Sequence, residues 1–536
     1  MRNPLRPAVL LICLLILTAG CTEVEIAEAP LEESSPAPGG RLRMGYVDDQ
    51  LEMDVHRAPR GHQAHYLVYD PLMTRSPDGE YAGHLVADWE IEEDQTVLRL
   101  TIRSGVEFHD GSVLDAGAVK ENIRRLKAQV DEEDLLPSLV RRFSRVLEGV
   151  DVDGELELVL RFTEPFPEVF HLMTLPYLAP MSPRDWEESA RPGVVGTGPF
   201  KLQSRHPDGT LILSRNPAYD WPPGFQEGRV QPHLEEIILR PYADEIRMLG
   251  AFRSDHLDVC PLPDFVFESE SSGENLLLEE SYQTAVYYLA LNLQKEPLDR
   301  ADLRRALAMA INRERFVEEA VSAPAAPVAG PLAPGVWGYD DALNRRAGLE
   351  DDLEAALSLL ASAGFSGQIL GSPDAGPVLS LELLAFRGGD NPEVARTLAN
   401  QLSRLGIRVE VTEVDSQDLW HRVHMGEFEA VLLSYSWDEP SFLNRYFHST
   451  GDLNRTGVQD EDLDEYLDAL ADTKDPYLRR QALSRLNLHL VDSAYFIWLY
   501  SPMQITAINP QLREFTITPW GHYLLYDAHF ITDSDG

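Results

Sequence analysis

Three short motifs carry residue types that could do chemistry. His62-Gln-Ala-His65 is a lone H-x-x-H with no acid beside it. A zinc site there would need further ligands converging from elsewhere in the fold, so the motif is expected in a surface loop. Phe108-His-Asp-Gly111 puts a histidine next to an aspartate, as a catalytic or metal-binding pair would. Asp-Gly is also a turn signal, here between a strand and a helix starting near Asp115, and that reading is adopted. Gly196-Thr-Gly198 lacks the third glycine and the strand-to-helix setting of a phosphate loop. Its glycines are expected to permit a tight turn. No G-x-S-x-G elbow, H-E-x-x-H helix or paired C-x-x-C occurs. The chain is therefore read as a non-enzyme with no metal and no cofactor.

The N-terminal residues point to export. Arg2 and Arg6 precede a wholly apolar run from Ala8 to Leu17, and Thr18-Ala-Gly20 puts small residues before Cys21. The apolar run is about a dozen residues, short of the roughly 20 that a spanning helix needs. Residues 1–20 are expected to be a signal peptide. Residues 21–40, rich in Glu, Pro, Ser and Gly, are expected to be a flexible tether. Of the three cysteines, Cys13 leaves with the signal and Cys260 has no partner, which excludes a disulfide framework. The formal charge of −42 argues against nucleic acid and anionic lipid surfaces as ligands. It is equally what solubility or a salty habitat would select.

Beyond the tether the pattern is mixed α/β. Residues 41–47, 96–103, 155–162 and 407–414 alternate as strands, and 493–500 is an almost fully apolar, buried strand. Helical spacing predicts helices over 116–127, 303–317, 353–363 and 392–405, with Asp302 a cap for the second. Gly364 and Gly406 end the last two. The Pro- and Gly-rich stretch 323–338 reads as a loop. About 500 residues exceed one core, so two or three lobes are expected.

Several segments in order resemble the bacterial extracellular solute-binding proteins of family 5, which include oligopeptide, dipeptide and nickel binders. They are Leu51 to His56, Val68-Tyr-Asp-Pro-Leu72, Leu85 to Trp89, Leu100 to Gly111, Gly196 to Phe200, Leu303 to Arg313 and Ala361 to Phe365. The resemblance spans about Arg41 to Phe530. It implies a two-lobed clamp of the periplasmic-binding-protein type (type II-like, class C) with an additional small domain. One lobe would comprise 41–68, 190–284 and 493–536, the small domain 69–189 and the other lobe 285–492. The hinge would lie in the strands Tyr287–Leu293 and Ala494–Tyr500. The resemblance also implies the role: a monomeric, lipid-anchored binding subunit that hands a peptide-like solute to ABC permease subunits. The anchor would be a diacylglyceryl group on Cys21, since the residues before it resemble a lipobox, with Thr18 where that motif prefers Leu. The location would be the periplasm or cell surface.

The stretch Glu429 to Asn444 is similar to the family's cleft segment, in which an aspartate pairs with the α-ammonium of a peptide. An ungapped match up to Glu439-Pro440 puts Ser436 at that aspartate and Trp437 at a tyrosine. A serine has no formal charge to offer an ammonium. Asp438 either replaces the missing anchor or caps the following turn. Tyr435, Trp437 and Trp420 are aromatic candidates for packing on a ligand, with ordinary core packing the competing role. Arg387 and Asp390 are candidates to meet a ligand terminus, or are solvated loop charges. A same-fold binder of a metal chelate or oligosaccharide, a ligand sensor and, last, a secreted hydrolase remain as alternatives.

Overall fold

The computed structural model describes residues 39–47, 51–76, 80–92, 94–132, 136–184, 194–225, 231–263, 277–346, 348–349, 351–365, 379–437, 439–473, 476–518 and 521–531. The expected signal peptide, Cys21, the tether up to residue 38 and Asp438 lie outside the described residues.

Twelve strands form one large sheet. In chain order they are β1 (Arg41–Val47), β2 (Phe200–Arg205), β3 (Leu211–Arg215), β4 (Glu236–Tyr242), β5 (Val259–Pro261) and β6 (Leu277–Tyr282). They continue with β7 (Ala285–Leu291), β8 (Ala325–Pro327), β9 (Leu379–Phe386), β10 (Ile407–Val414), β11 (Ala430–Ser436) and β12 (Phe496–Ile508). The spatial order is β10-β9-β11-β7-β12-β5-β1-β4-β3-β2, and β6 and β8 also pair with β12. β12 is the long element. Its first half runs antiparallel to β7, with Ala290 opposite Phe496 and Tyr287 opposite Tyr500. Its second half runs antiparallel to β6, with Tyr282 opposite Met503 and Leu277 opposite Ile508. The run expected to end at Tyr500 therefore continues for eight more residues. Polar positions such as Gln504 and Thr506 hid that continuation.

Packing separates along the same line. One buried cluster joins β1 and β4 to Leu51, Val55, Leu67, Phe200 and Ile508. Two others gather β7, β9, β11 and the start of β12 with the helices between residues 301 and 490. A further cluster, from Leu72 to Leu178, lies between helices Ala116–Glu132 and Ser138–Val146 and a four-stranded sheet of Val86–Ile91, Val97–Ile102, Glu157–Phe162 and Leu147–Val152.

Three expectations need correction. The helix read across 303–317 is two, Ala301–Met309 and Arg313–Ala320. Asn312 leaves the helical conformation and its carboxamide accepts from the backbone N–H of Arg315, so a cap interrupts an apolar stripe that runs through. Asp302 sits in the first turn and does not cap it. The His62–His65 pair is no surface loop. His62 caps helix Gln63–Val68, while His65 is buried and donates through Nε2 to the carbonyl of Glu52 at 2.8 Å. The Gly196-Thr-Gly198 segment is required for close approach, since neither glycine has a positive φ. A Cβ on Gly196 would lie 2.2 Å from the carbonyl oxygen of Val68, and one on Gly198 would lie 2.6 Å from its carbonyl carbon.

That contact draws three motifs together. Gly198 donates to Val68 O at 2.9 Å, His109 N donates to Gly196 O at 2.9 Å, and His109 Nε2 donates to Gly198 O at 2.9 Å. Thr197 donates to the buried Asp70 carboxylate at 3.0 Å. His109 is thus committed to a backbone brace. The variant Gly198→Ala must displace the Val68 peptide, and denaturant unfolding should show a loss of about 1–3 kcal/mol.

Burial pushes His56 down to about 3 and His65 and His109 down to about 4. An unfolded imidazole titrates near 6.5. Between about pH 6.5 and 4 the unfolded chain therefore binds more protons than the folded one, and stability falls as pH is lowered through that window. At 1.36 kcal/mol per unit, His65 and His109 each contribute up to about 3 kcal/mol and His56 up to about 5 kcal/mol. The thermal midpoint should drop across this range, and His109→Gln should make the drop shallower.

Candidate functional site

Where β6 turns into β7, the chain passes through Gln283 and Thr284 beside the C-terminal end of β11. Ala285 pairs with Ser436 there, and the hydroxyls of Thr284 and Ser436 lie 2.8 Å apart. These residues face a cavity of about 410 Å³, whose other wall includes Gln504, Thr506 and Tyr523. A wider cavity of about 640 Å³ adjoins it and shares Pro261, Gln283, Gln504, Gly521 and Tyr523. Gln504 and Thr506 are two apart on β12, so they share one face of it. Gln504 donates through Nε2 to Leu262 O at 3.1 Å. Thr506 is 1% exposed and its hydroxyl has no hydrogen-bond partner.

A third cavity, of about 400 Å³, is lined by residues of helix Ser138–Val146 and of the segment after β11. Trp437 lines it, stacked on Phe442 at 5.8 Å, with the Arg445 guanidinium 5.8 Å from its ring centroid. Arg445 is held by Asp452 through bonds of 2.9 and 2.7 Å, and Arg142 by Glu168 at 2.5 Å. Ser436, the last residue of β11, and Trp437, the first beyond it, are adjacent in sequence yet line different cavities.

The other sequence candidates fall elsewhere. Tyr435, expected at the cleft, is a core residue. It is 5% exposed, its hydroxyl donates to Pro331 O and accepts from Trp498 Nε1 at 2.9 Å, and its ring meets Tyr288 and Phe442. Trp420 is 47% exposed, meets His424 edge-on and lines none of these cavities. Asp390 accepts from Ser322 N and Oγ, and Arg387 donates to Glu413 O at 2.9 Å. Cys260 is buried on β5, and burial pushes its thiol up to about 12, which makes it unreactive. Among the described residues no group of three or more His, Cys, Asp or Glu could hold a metal ion. Sequence reasoning missed Thr284, Gln504, Thr506 and Tyr523. The polar positions 504 and 506 interrupting an apolar strand were the available signal.

A buried ion cluster forms part of the wall of the Trp437 cavity, through Glu439 and His171. Glu439 is 5% exposed and accepts from Arg479 and from the Tyr81 hydroxyl, with Arg75 at 3.7 Å. Arg75 in turn lies 3.1 Å from His171 Nδ1. Burial alone would raise the Glu439 pKa, but Arg479, Arg75 and the Tyr81 hydroxyl together hold it below the ordinary carboxylate range. Next to it Trp337 Nε1 donates to Glu80 at 2.6 Å, with the Arg479 guanidinium 4.8 Å from the indole centroid. The cluster pins Arg75, Glu80 and Tyr81 to Trp337, Glu439 and Arg479, which come from three distant segments. Glu439→Gln would remove the anion that the buried Arg75 and the half-buried Arg479 face. Urea unfolding at pH 7 should show a loss of about 3–5 kcal/mol. A carboxylate whose folded pKa is lowered stabilises above its unfolded pKa, so the difference from wild type should shrink as pH falls through the carboxylate range.

The chain is similar in sequence and fold to known binding proteins. It is 23% identical over 480 residues to "Probable D,D-dipeptide-binding periplasmic protein DdpA" of Escherichia coli, covering 85% of this chain and 86% of that protein. Its fold matches the unliganded open form of the periplasmic murein tripeptide binding protein MppA with a TM-score of 0.81 at 18% identity, over 93% of this chain and 99% of that one. It also matches NikA from Brucella suis in complex with Fe(III)-EDTA, with a TM-score of 0.72 at 20% identity over 92% and 100%. These neighbours are two-lobed periplasmic binding proteins, and the present chain has that fold. The family model for bacterial extracellular solute-binding proteins, family 5, matches residues 80–454, and the chain belongs to that family.

Proposed function

We propose that this chain is the binding subunit of an ABC-type importer and captures a peptide-like small solute in a cleft that closes between its two lobes. Family membership supports the role, and the peptide-binding relatives support the ligand class. The observation that carries the reading is the cavity at the β6–β7 turn. Ser436 reaches it from the half of the sheet built on β7, β9 and β11, and Thr506 and Tyr523 from the half built on β1 and β4. A ligand held there touches both halves at once, so its contacts improve as they close, which is the condition for a ligand-driven population shift. β7 and the first half of β12 serve as the hinge, with lobe boundaries at residues 41–68, 190–284 and 493–536 against 285–492, and a small domain over 69–189. Ser436 is the site residue at this cavity; Trp437, which lines the separate 400 Å³ cavity, and Asp438 are kept as neighbouring candidates. Cys21 carries the lipid that holds the body near the membrane and its permease.

The test is thermal unfolding of the purified chain against a panel of short peptides, amino-sugar oligomers and metal chelates. A ligand of the folded form at 100 times its Kd adds about 2.7 kcal/mol and raises the midpoint in a concentration-dependent way. A response to peptides supports the reading. A response to chelates or oligosaccharides alone keeps the clamp and replaces the ligand class.

A further inference from the structure

The small domain over 69–189 meets the rest of the molecule across two boundaries that are built differently. Its boundary with the lobe of 41–68, 190–284 and 493–536 is bolted. Tyr219 and Trp221 of that lobe are buried inside the small domain's own apolar cluster. Trp221 Nε1 donates to the Asp70 carboxylate at 3.0 Å, Arg103 donates to Trp221 O at 3.1 Å, and Arg125 donates to Asp54 at 2.8 Å. The His109 brace crosses the same boundary.

The boundary with 285–492 has no such core. Among the described residues, none from that lobe joins the small domain's buried cluster, and none from the small domain joins the lobe's two clusters. What crosses is polar. Arg75, Glu80 and Tyr81 face Trp337, Glu439, Arg479 and Arg480, with Arg480 3.5 Å from Glu80. Two cavities flank this contact, and Ser441 lines both. One is the cavity of about 400 Å³ at Trp437. The other, of about 180 Å³, is lined by Trp89 and Phe170 from the small domain and by Leu470 and Ala471 from the lobe.

An apolar core resists separation because its whole area must be exposed to water. Carboxylate, guanidinium, phenol and indole N–H groups regain hydrogen bonds to water when they part, so their net hold is small. A buried ion pair adds little permanent stability over an apolar contact of the same volume. Polar faces between domains, without a large apolar area, are the ones across which domains move. Bending at β7 and β12 would carry 285–492 away from everything fixed to the other lobe, the small domain included.

We infer that the Glu439–Arg75–Arg479 cluster, with the Trp337–Glu80 pair, is a reversible latch that forms as the clamp closes and parts as it opens. It biases the ligand-free chain toward the closed form, which leaves the ligand a smaller conformational equilibrium to shift. This rests on the lobe boundaries and hinge proposed above.

The test is small-angle X-ray scattering of the purified ligand-free chain, with circular dichroism to verify folding. Glu439→Gln and Trp337→Phe should each shift the closed-to-open ratio about tenfold toward open, the effect of losing one charged hydrogen bond, and raise the radius of gyration. His109→Gln, at the bolted boundary, should leave that radius unchanged. If Glu439→Gln fails to fold, Trp337→Phe decides, since it keeps an aromatic ring and removes the N–H. The inference is overturned if the folded latch variants keep the wild-type radius of gyration, because the cluster is then a fixed staple. That outcome leaves the binding role intact, whereas a ligand panel without any response counts against the binding role alone.

Discussion

The antiparallel path of β12 is the constraint on which the rest of the structure depends. One strand pairs with β7 through Phe496–Tyr500 and with β6 through Met503–Ile508. It is therefore a shared wall of two otherwise separate sets of buried side chains. Tyr287 stacks on Tyr500 and Tyr288 on Phe496, at 4.5 and 4.3 Å, so the pairing is reinforced by offset aromatic contacts on both faces. A backbone ladder joining two packed halves resists shear and permits bending. The cavity beside it opens at the one place where β6 hands over to β7 and the ladder changes partner.

A different kind of bond ties the small four-stranded region to the second half. Glu439, Arg479, Arg75 and Tyr81 form a buried ionic contact that is satisfied only when segments some 360 residues apart are in place. Apolar packing of the same volume would hold as well. A buried charge cluster adds geometric demand, because every member left unpaired is expensive. Near Trp437, Arg142 pairs with Glu168 and Arg445 with Asp452, and Arg141 and Arg145 add positive charge to the same cavity.

The motifs that carried the family resemblance do mechanical work. Val68-Tyr-Asp-Pro-Leu72, Phe108 to Gly111 and Gly196 to Phe200 converge on one backbone crossing too tight for any Cβ. A histidine beside an aspartate suggested chemistry, but His109 spends its Nε2 proton on a carbonyl and is held neutral by burial. On the cleft side, Ser436 comes from the segment that resembles the family's cleft stretch, while Thr284, Gln504 and Thr506 belong to no motif.

What the sequence by itself determined is local. Strands 41–47 and 407–414 appear with the bounds that alternation predicts, because one buried face demands a period of two. Gly406 adopts a positive φ of 77° at the end of its helix for an equally local reason. Order of motifs was enough to indicate the family and its fold. Tertiary structure decided the rest. Whether the stripe across 303–317 was one helix or two turned on a single asparagine cap, which periodicity does not register. Whether Tyr435 met a ligand or the core turned on Trp498 and Pro331, distant partners invisible from position 435. The cavity itself is assembled from Thr284, Ser436 and Thr506, residues far apart in the chain that only the pairing of β7 with both β11 and β12 brings together.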